Sequence, residues 1–120
     1  MSPHDMSDDD LTAGDDKPLS EPVFLILASL AGGASHGYAV IKDVEQFSDG
    51  RVRLSTGTLY GALRRLLESG WIEVFAQEDR SRDKQAYRLT REGRRRVEAE
   101  LRRMKHLTRV ATARLRTRAT

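Results

Sequence analysis

Residues 23–30 restrict the possible folds of this chain more than any other segment, because they read VFLILASL in a 120-residue chain of which 32% is charged. Ser20 can cap a helix over this segment, and Glu21 and Pro22 suit its first turn. The apolar side chains point to every side of such a helix, so it must be buried all round. Because so small a domain covers only one side, we expect a second copy of the chain on the other, with Phe24 and Leu27 in the interface.

The next apolar pattern predicts a second helix. Gly32-Gly33 ends the first helix, and Ser35 is expected to cap the second, which runs to about Phe47. Tyr38 and Lys42 are four residues apart and share its outer face. Its predicted inner face consists of Gly37, Val40, Ile41, Val44 and Phe47.

A turn and a short extended piece precede a third helix. Asp49-Gly50 predicts the turn, and the alternation in residues 51–54 indicates a short strand. Ser55 is expected to cap the third helix, which ends at Gly70. Its predicted inner face consists of Leu59, Ala62, Leu63, Leu66 and Leu67.

The remaining sequence predicts a hairpin and a long final helix. Residues 71–75 and 85–89 are strand-like and are joined by a polar loop. Thr90 is expected to cap a helix that runs to about Arg116, with apolar residues alternating at four and three positions, the spacing of packed helix pairs. We predict that this seam joins two copies of the chain through Val97, Leu101, Met104, Thr108, Ala111 and Leu115.

The order of these elements is that of a winged helix-turn-helix. The predicted fold class is mainly α within the α+β class, with a two-stranded wing and a long C-terminal dimerisation helix. Residues 1–19 are predicted to form an acidic, disordered tail because they contain few large apolar side chains. Residues 20–89 form the predicted DNA-binding domain and residues 90–120 the dimerisation helix.

The charge of the chain is distributed unevenly. Residues 1–21 contain seven acidic residues and one lysine, whereas residues 22–120 contain 20 basic and 11 acidic residues. A basic body indicates a polyanionic partner, although an ordinary solvated surface has the same appearance. The fold and the charge together favour double-stranded DNA as the partner.

The outer face of the third helix is the predicted reading surface. Gly57 and Gly61 are four residues apart and present no side chain that would hold the helix away from DNA, and Arg64 can contact phosphate or guanine. Hydroxyl groups that can donate hydrogen bonds belong to Ser55, Thr56, Thr58 and Tyr60. At the wing tip Arg80, Arg82 and Lys84 are expected to contact phosphates.

Six pieces of the sequence, over roughly residues 22–95, match the pattern of one known family. They are Leu25-Ile26-Leu27 through Leu30, His36-Gly37-Tyr38, Leu54-Ser55-Thr56-Gly57-Thr58-Leu59-Tyr60, Leu63-Arg64-Arg65-Leu66, Gly70-Trp71-Ile72 and Tyr87-Arg88-Leu89-Thr90-Arg91-Glu92-Gly93. In these pieces and their spacing the sequence resembles the PadR family of transcriptional regulators. The single C-terminal helix is similar to the shorter of the two subfamilies.

This resemblance implies a homodimer joined by its first and last helices. It further implies repression from palindromic operators, relieved by a small-molecule effector or a stress signal. It places Tyr38, Lys42, Ser55, Thr58, Tyr60 and Arg64 in DNA-contacting elements and gives His36 a packing or capping role. Some members bind flat drugs against a tryptophan of the last helix, but the single tryptophan here, Trp71, lies at a strand start and is expected in the core.

Other classes of function lack their signatures in this sequence. There is no cysteine, and His4, His36 and His106 have no metal-ligand spacing. No nucleotide loop or nucleophile motif occurs, so we expect neither an enzyme nor a cofactor. We expect a cytoplasmic protein that does not bind membranes. A winged helix used only for protein–protein contact is the main alternative, and an RNA-binding protein is a weaker one.

Overall fold

The computed structural model describes residues 17–75 and 85–119 of the chain. The described residues form four helices and three strands in a winged-helix arrangement. The helices are α1 (Glu21–Ala31), α2 (Gly37–Phe47), α3 (Thr56–Ser69) and α4 (Arg91–Ala119), and the strands are β1 (Ser35–His36), β2 (Ile72–Phe75) and β3 (Ala86–Leu89). The predicted tail, up to residue 16, and the wing tip, residues 76–84, lie outside this range.

The sheet has three antiparallel strands in the order β1-β3-β2. Its first strand differs from the prediction, because residues 51–54 are not part of the sheet and Ser35 and His36 pair instead with Tyr87 and Ala86. The Val52 amide donates to Ser48 Oγ (2.9 Å), so this segment bonds to the end of α2 rather than to a strand. Ser35 therefore lies in a strand, and the N-cap of α2 is His36, without a side-chain hydrogen bond.

Helix α1 is the centre of the core, as its sequence predicts. Ser20 caps it by accepting from the Val23 amide, and the helix packs against α2, β3 and α4 of the same chain. The expectation that one chain covers only one side of this helix is therefore wrong. Leu27 is 0% exposed in the single chain and has no surface left for an interface, whereas Phe24 is only partly buried.

The core also includes residues that precede α1 and residues that follow it in the chain. Leu19, which we assigned to the tail, is buried in the core cluster, so the packed domain begins before Ser20. The predicted inner face of α3 is confirmed, since Leu59, Ala62, Leu63 and Leu66 are buried. Phe47 is wrongly predicted, because it is 51% exposed. The buried row of α2 continues from Val44 to Ser48 at four-residue spacing, which leaves Phe47 outside it.

A close joint connects the end of α3 to the start of α4. Gly70 ends α3 in the left-handed conformation, at φ 79°, which favours glycine. Thr90 Oγ1 donates to the Gly70 carbonyl (2.6 Å), and the Thr90 amide donates to the Trp71 carbonyl (3.1 Å). Gly93 faces the same carbonyl so closely that a Cβ atom there would lie 1.9 Å from the oxygen. The final helix is thus fixed directly to the residues that follow α3.

Beyond this joint, α4 contains a buried charged cluster. The Arg96 guanidinium stacks over the Trp71 ring at 5.5 Å and lies 3.9 Å from the Glu100 carboxylate. Arg103 Nε donates to Glu100 (3.2 Å), and this hydrogen bond raises the pKa of Arg103. Arg96 also donates to the Lys17 carbonyl, which ties the chain entering the domain to α4. The expectation that Trp71 belongs to the core is confirmed.

The second half of α4 extends away from the domain. Every residue from 105 to 117 is exposed, and the chain measures 61 Å along its longest axis against 29 Å along its shortest. Among the described helices none is long and apolar enough to cross a membrane.

Candidate nucleic-acid interface

The N-terminal half of α3 is an open surface. Apart from their chain neighbours and the backbone of their own helix, no described atom lies within 4 Å of the position that a Cβ of Gly57 or Gly61 would occupy. Thr56 and Thr58 are exposed on the same half of the helix, and Arg64 is exposed about one turn beyond Gly61. No bulky side chain of α3 therefore stands between this part of the helix backbone and a ligand approaching it.

Two of the four predicted hydroxyl donors, Ser55 and Thr58, already form hydrogen bonds with each other. Ser55 Oγ accepts from the Thr58 amide (3.1 Å), which confirms the predicted cap, and it donates its proton to Thr58 Oγ1 (3.0 Å). Ser55 therefore shapes the start of the helix, while Thr58 retains a hydroxyl proton for a ligand. Tyr60 is half-buried. Its hydroxyl oxygen lies 2.7 Å from the position that a Cβ of Gly37 would occupy. The ring packs between α3 and the start of α2, so Tyr60 also positions the surface.

This contact explains why glycine stands at position 37. Any larger side chain there would displace Tyr60, and Leu59 lies only 3.3 Å from the same position. Sequence reasoning placed Gly37 on the inner face of the second helix, but it gave no sign that the tyrosine ring was its neighbour.

Helix α2 contributes a cation and an aromatic ring beside this surface. Tyr38 follows Gly37 directly, is 71% exposed, and has the Lys42 ammonium 5.6 Å from its ring centroid. Both residues line an open groove of about 760 Å³, together with Ile41, Glu45, Gln46, Asp49 and Gly50. Its mixed charges distinguish this groove from the mainly apolar pockets that usually hold small molecules.

Arginines of the turn before α3 add positive charge that we did not predict. Arg53 is exposed two residues before the cap, and its Nε donates to the Gly50 carbonyl (3.3 Å). Arg51 pairs with Glu21 and so joins the turn to α1. We interpreted their alternating sequence as a strand, which concealed their position in the turn. Among the described residues Arg64 has no ion-pair partner, so its charge is available.

The predicted wing cations Arg80, Arg82 and Lys84 lie outside the described residues. The base of the wing is described, and there Arg88 pairs with Glu73 (2.7 Å) and lies over the Phe75 ring at 5.0 Å. His36 Nδ1 lies 3.2 Å from the Gln85 carbonyl, next to the β1–β3 pairing. The side chain is exposed and forms no cap hydrogen bond, so its contact is with the backbone at the sheet edge rather than with the core. In the described part of the chain, no three His, Asp or Glu residues form a group that could hold a metal ion.

Residues 26–99 match the model of the Transcriptional regulator PadR-like family. The chain belongs to this family. Its members are transcriptional regulators, so the match supports a regulatory rather than a catalytic role. The matched region runs from the middle of α1 through the first turns of α4, and so it includes the whole of the open α3 surface.

Solved structures agree with the PadR-like fold. A PadR family transcription regulator from Clostridium difficile superposes with a TM-score of 0.65 at 23% identity, covering 80% of this chain and 99% of the other. A transcriptional regulator from Clostridium thermocellum has a TM-score of 0.62 at 26% identity, covering 76% of this chain and 89% of the other.

One curated relative is considerably longer than this chain. An uncharacterised 37.1 kDa protein in transposon Tn4556 of Streptomyces fradiae is 38% identical over 84 residues, which are 70% of this chain but only 23% of the relative. The chain therefore spans about a quarter of the curated protein that it matches.

The residues that we assigned to the dimer seam fall into two groups in this PadR-like chain. Val97 is buried in the core of the single domain and, like Leu27, has little surface left to contribute. Leu101 is 43% exposed and Leu115 73% exposed. Met104, Thr108 and Ala111 lie between them on the same stripe and are at least partly exposed. The surface available for pairing is therefore the outer half of α4.

Proposed function

We propose that this chain is a sequence-specific DNA-binding transcriptional regulator that acts as a homodimer. The observation that carries the proposal is the open half of α3, where two glycines leave the helix backbone uncovered among exposed hydroxyls and an unpaired arginine. The major groove, about 12 Å wide, admits an α-helix, and a helix face without bulky side chains can approach the bases closely.

The reading geometry follows from this surface. The first turn of α3 points its amides and the positive end of its dipole at a phosphate. Thr56, Thr58 and Arg64 then lie beside base edges and phosphates in the groove. Tyr38 and Lys42 of α2, with the wing cations, supply contacts to the flanking backbone, which increase affinity without reading sequence.

A second copy is proposed because the outer half of α4 is unstable alone. This half exposes Leu101, Leu107, Val110 and Leu115 to water. A helical segment of about 15 residues is marginal in water without tertiary packing. Pairing of two such helices along the stripe from Leu101 to Leu115 buries part of this apolar surface, and it presents two α3 helices to half-sites about one DNA turn apart.

The symmetric arrangement suits a palindromic operator. A dimer bound over a promoter would act as a repressor in the cytoplasm, where the DNA is. A small-molecule effector or a stress signal would release it by changing the separation of the two reading helices. The joint at Thr90 and Gly93 supports this last step, because it makes each α3 follow its own α4.

Titration of the dimer with duplex DNA from around its own gene tests the proposal. Fluorescence anisotropy at several salt concentrations should give a steep loss of affinity with salt. The variant Gly61→Glu places a carboxylate at the groove and should abolish binding, whereas Gly61→Gln, of equal size, should retain more of it. Neither clashes within the fold, since the Cβ position is open.

Two results would contradict the proposal. A folded dimer that ignores duplex DNA at low salt would favour the alternative of a protein–protein interaction module. Equal affinities of the Gly61→Glu and Gly61→Gln variants would show that α3 does not face the phosphates.

A further inference from the structure

The outer half of α4 carries positive charge only. Glu100 is the last acidic residue of the chain, and it is buried against Arg96 and Arg103. Residues 101–117, which we name the basic arm, contain no aspartate or glutamate. Its exposed lysine and arginines are Arg102, Lys105, Arg109, Arg114 and Arg116.

These cations are unneutralised within the part of the chain that the structure describes. None of the five forms an ion pair with a described residue, although the inner turns of α4 contain several such pairs. Arg102, Lys105, Arg109 and Arg116 follow spacings of three, four and seven residues, so they share one face of the helix. Like charges at these spacings repel one another. An anion along this face would remove that repulsion.

The chain itself contains a segment of opposite charge. Residues 1–16 include six aspartates, at positions 5, 8, 9, 10, 15 and 16, and no lysine or arginine. The described chain begins directly after this segment, where the Lys17 carbonyl accepts a hydrogen bond from Arg96 of α4. Leu19, two residues later, is fixed in the core. The acidic segment is therefore attached beside the base of the basic arm.

The segment is long enough to follow the arm. Sixteen residues in an extended conformation span up to about 50 Å, whereas the 17 residues of the arm span about 26 Å along the helix axis. The difference leaves enough chain to pass around the helix to any of its faces.

We propose that residues 1–16 dock along the basic arm and shield it from other polyanions. The acidic segment fits this surface because its charge is opposite to that of the arm. It also belongs to the same chain, and a short tether holds it at an effective concentration in the millimolar range. The apolar stripe through Leu101 and Leu115 lies beside the arm's main cationic face and stays free for a second copy. The docking concerns α4 and not α3, so it does not depend on the proposed operator binding.

The docked segment would prevent the arm from binding nucleic acid at low salt. The Debye length is about 10 Å at 0.1 M salt and 3 Å at 1 M, so the contact weakens as salt rises. Neutralising the segment should expose the arm to duplex DNA of any sequence. The slope of log K against log salt should then steepen by about 0.9 for each cation that gains a phosphate.

Paramagnetic relaxation in the full chain tests the docking directly. The sequence has no cysteine, so Ser2→Cys gives a single site for a nitroxide label. At 50 mM salt the label should broaden the amide resonances of residues 101–117, and at 0.5 M salt the broadening should largely disappear. It should also disappear when Asp5, Asp8, Asp9 and Asp10 are replaced by asparagine.

A charge-reversal variant gives the matched control. The combined substitutions Arg102→Glu, Lys105→Glu, Arg109→Glu and Arg116→Glu should abolish the broadening. Adding Asp5→Lys, Asp8→Lys, Asp9→Lys and Asp10→Lys to the same chain should restore it. Broadening of α3 resonances instead would show that the segment covers the reading surface, which would overturn the proposal. Unselective or absent broadening at low salt would overturn it as well. Each outcome is read without DNA, so failure of the docking is distinct from failure of operator binding.

Discussion

Replacement of Gly93 by alanine should destabilise this fold strongly, although alanine is the better helix former. Gly93 lies in the first turn of α4, against the Trp71 carbonyl. A Cβ atom would lie 1.9 Å from that oxygen and 2.9 Å from its carbon, whereas real Cβ contacts stay above 3.0 Å. The nearest atoms belong to the backbone, so no side-chain rotation can relieve the clash.

The size of the effect follows from what must move. A shift of more than 1 Å separates α4 from Trp71 and weakens the two hydrogen bonds of Thr90, to Gly70 and Trp71. Each of these bonds contributes about 1 kcal/mol, and forced repacking of a core costs about 1–3 kcal/mol. The helix propensity of alanine returns about 1 kcal/mol. We therefore expect a net loss of about 2–4 kcal/mol in the free energy of unfolding.

Urea unfolding followed by circular dichroism measures this loss, at one protein concentration because the proposed pairing would contribute to stability. Gly57→Ala is the matched control, since Gly57 also lies in the first turn of a helix but has open space around it. That variant should gain up to about 1 kcal/mol. Equal stabilities of Gly93→Ala and the parent chain would refute the argument, because the close approach to Trp71 would then impose no constraint.

Three further substitutions test other parts of the structure. Glu100→Gln leaves the buried Arg96 without a counter-charge and should lower the unfolding free energy by about 3 kcal/mol; a loss below 1 kcal/mol by urea unfolding would show that the pair is dispensable. Leu101→Asp should convert the dimer to a folded monomer in sedimentation velocity, since Leu101 is exposed in the single chain, and a persistent dimer would place the interface elsewhere. Arg64→Ala should weaken operator binding by about 1–3 kcal/mol and relax preference at one base pair if Arg64 reads a base; unchanged anisotropy titrations would remove it from the interface.

The sequence predicted the helix ends and buried faces that depend on residues close together in the chain. Ser55 and Gly70 marked the ends of α3 because the cap and the left-handed turn use groups within a few residues of each other. The apolar spacing of α3 identified its buried face for the same reason. The open glycines of the candidate site follow from that assignment, because the face opposite a buried one is exposed.

The sequence did not predict strand pairing or side-chain burial between segments that are far apart in the chain. Ser35 was predicted to cap a helix, but it pairs with β3, far along the chain, and forms part of a strand. Leu27 appeared to need a second chain, but α2, β3 and α4 together enclose the helix that carries it. Tyr60 appeared free to contact DNA, and only the packing of α2 on α3 shows that its ring fills the space at Gly37.

The sequence by itself thus determined the limits of α1 and α3, the PadR-like motifs, and the opposite charges of the first 16 residues and the last helix. Hydrogen bonds between near neighbours and the charge of each residue do not depend on the rest of the fold. The tertiary structure alone decided which side chains have surface left to offer a partner, and that Lys17, where the described chain begins, lies beside Arg96 of α4. These properties depend on which distant segments pack together, and many sequences with the same local pattern would pack differently.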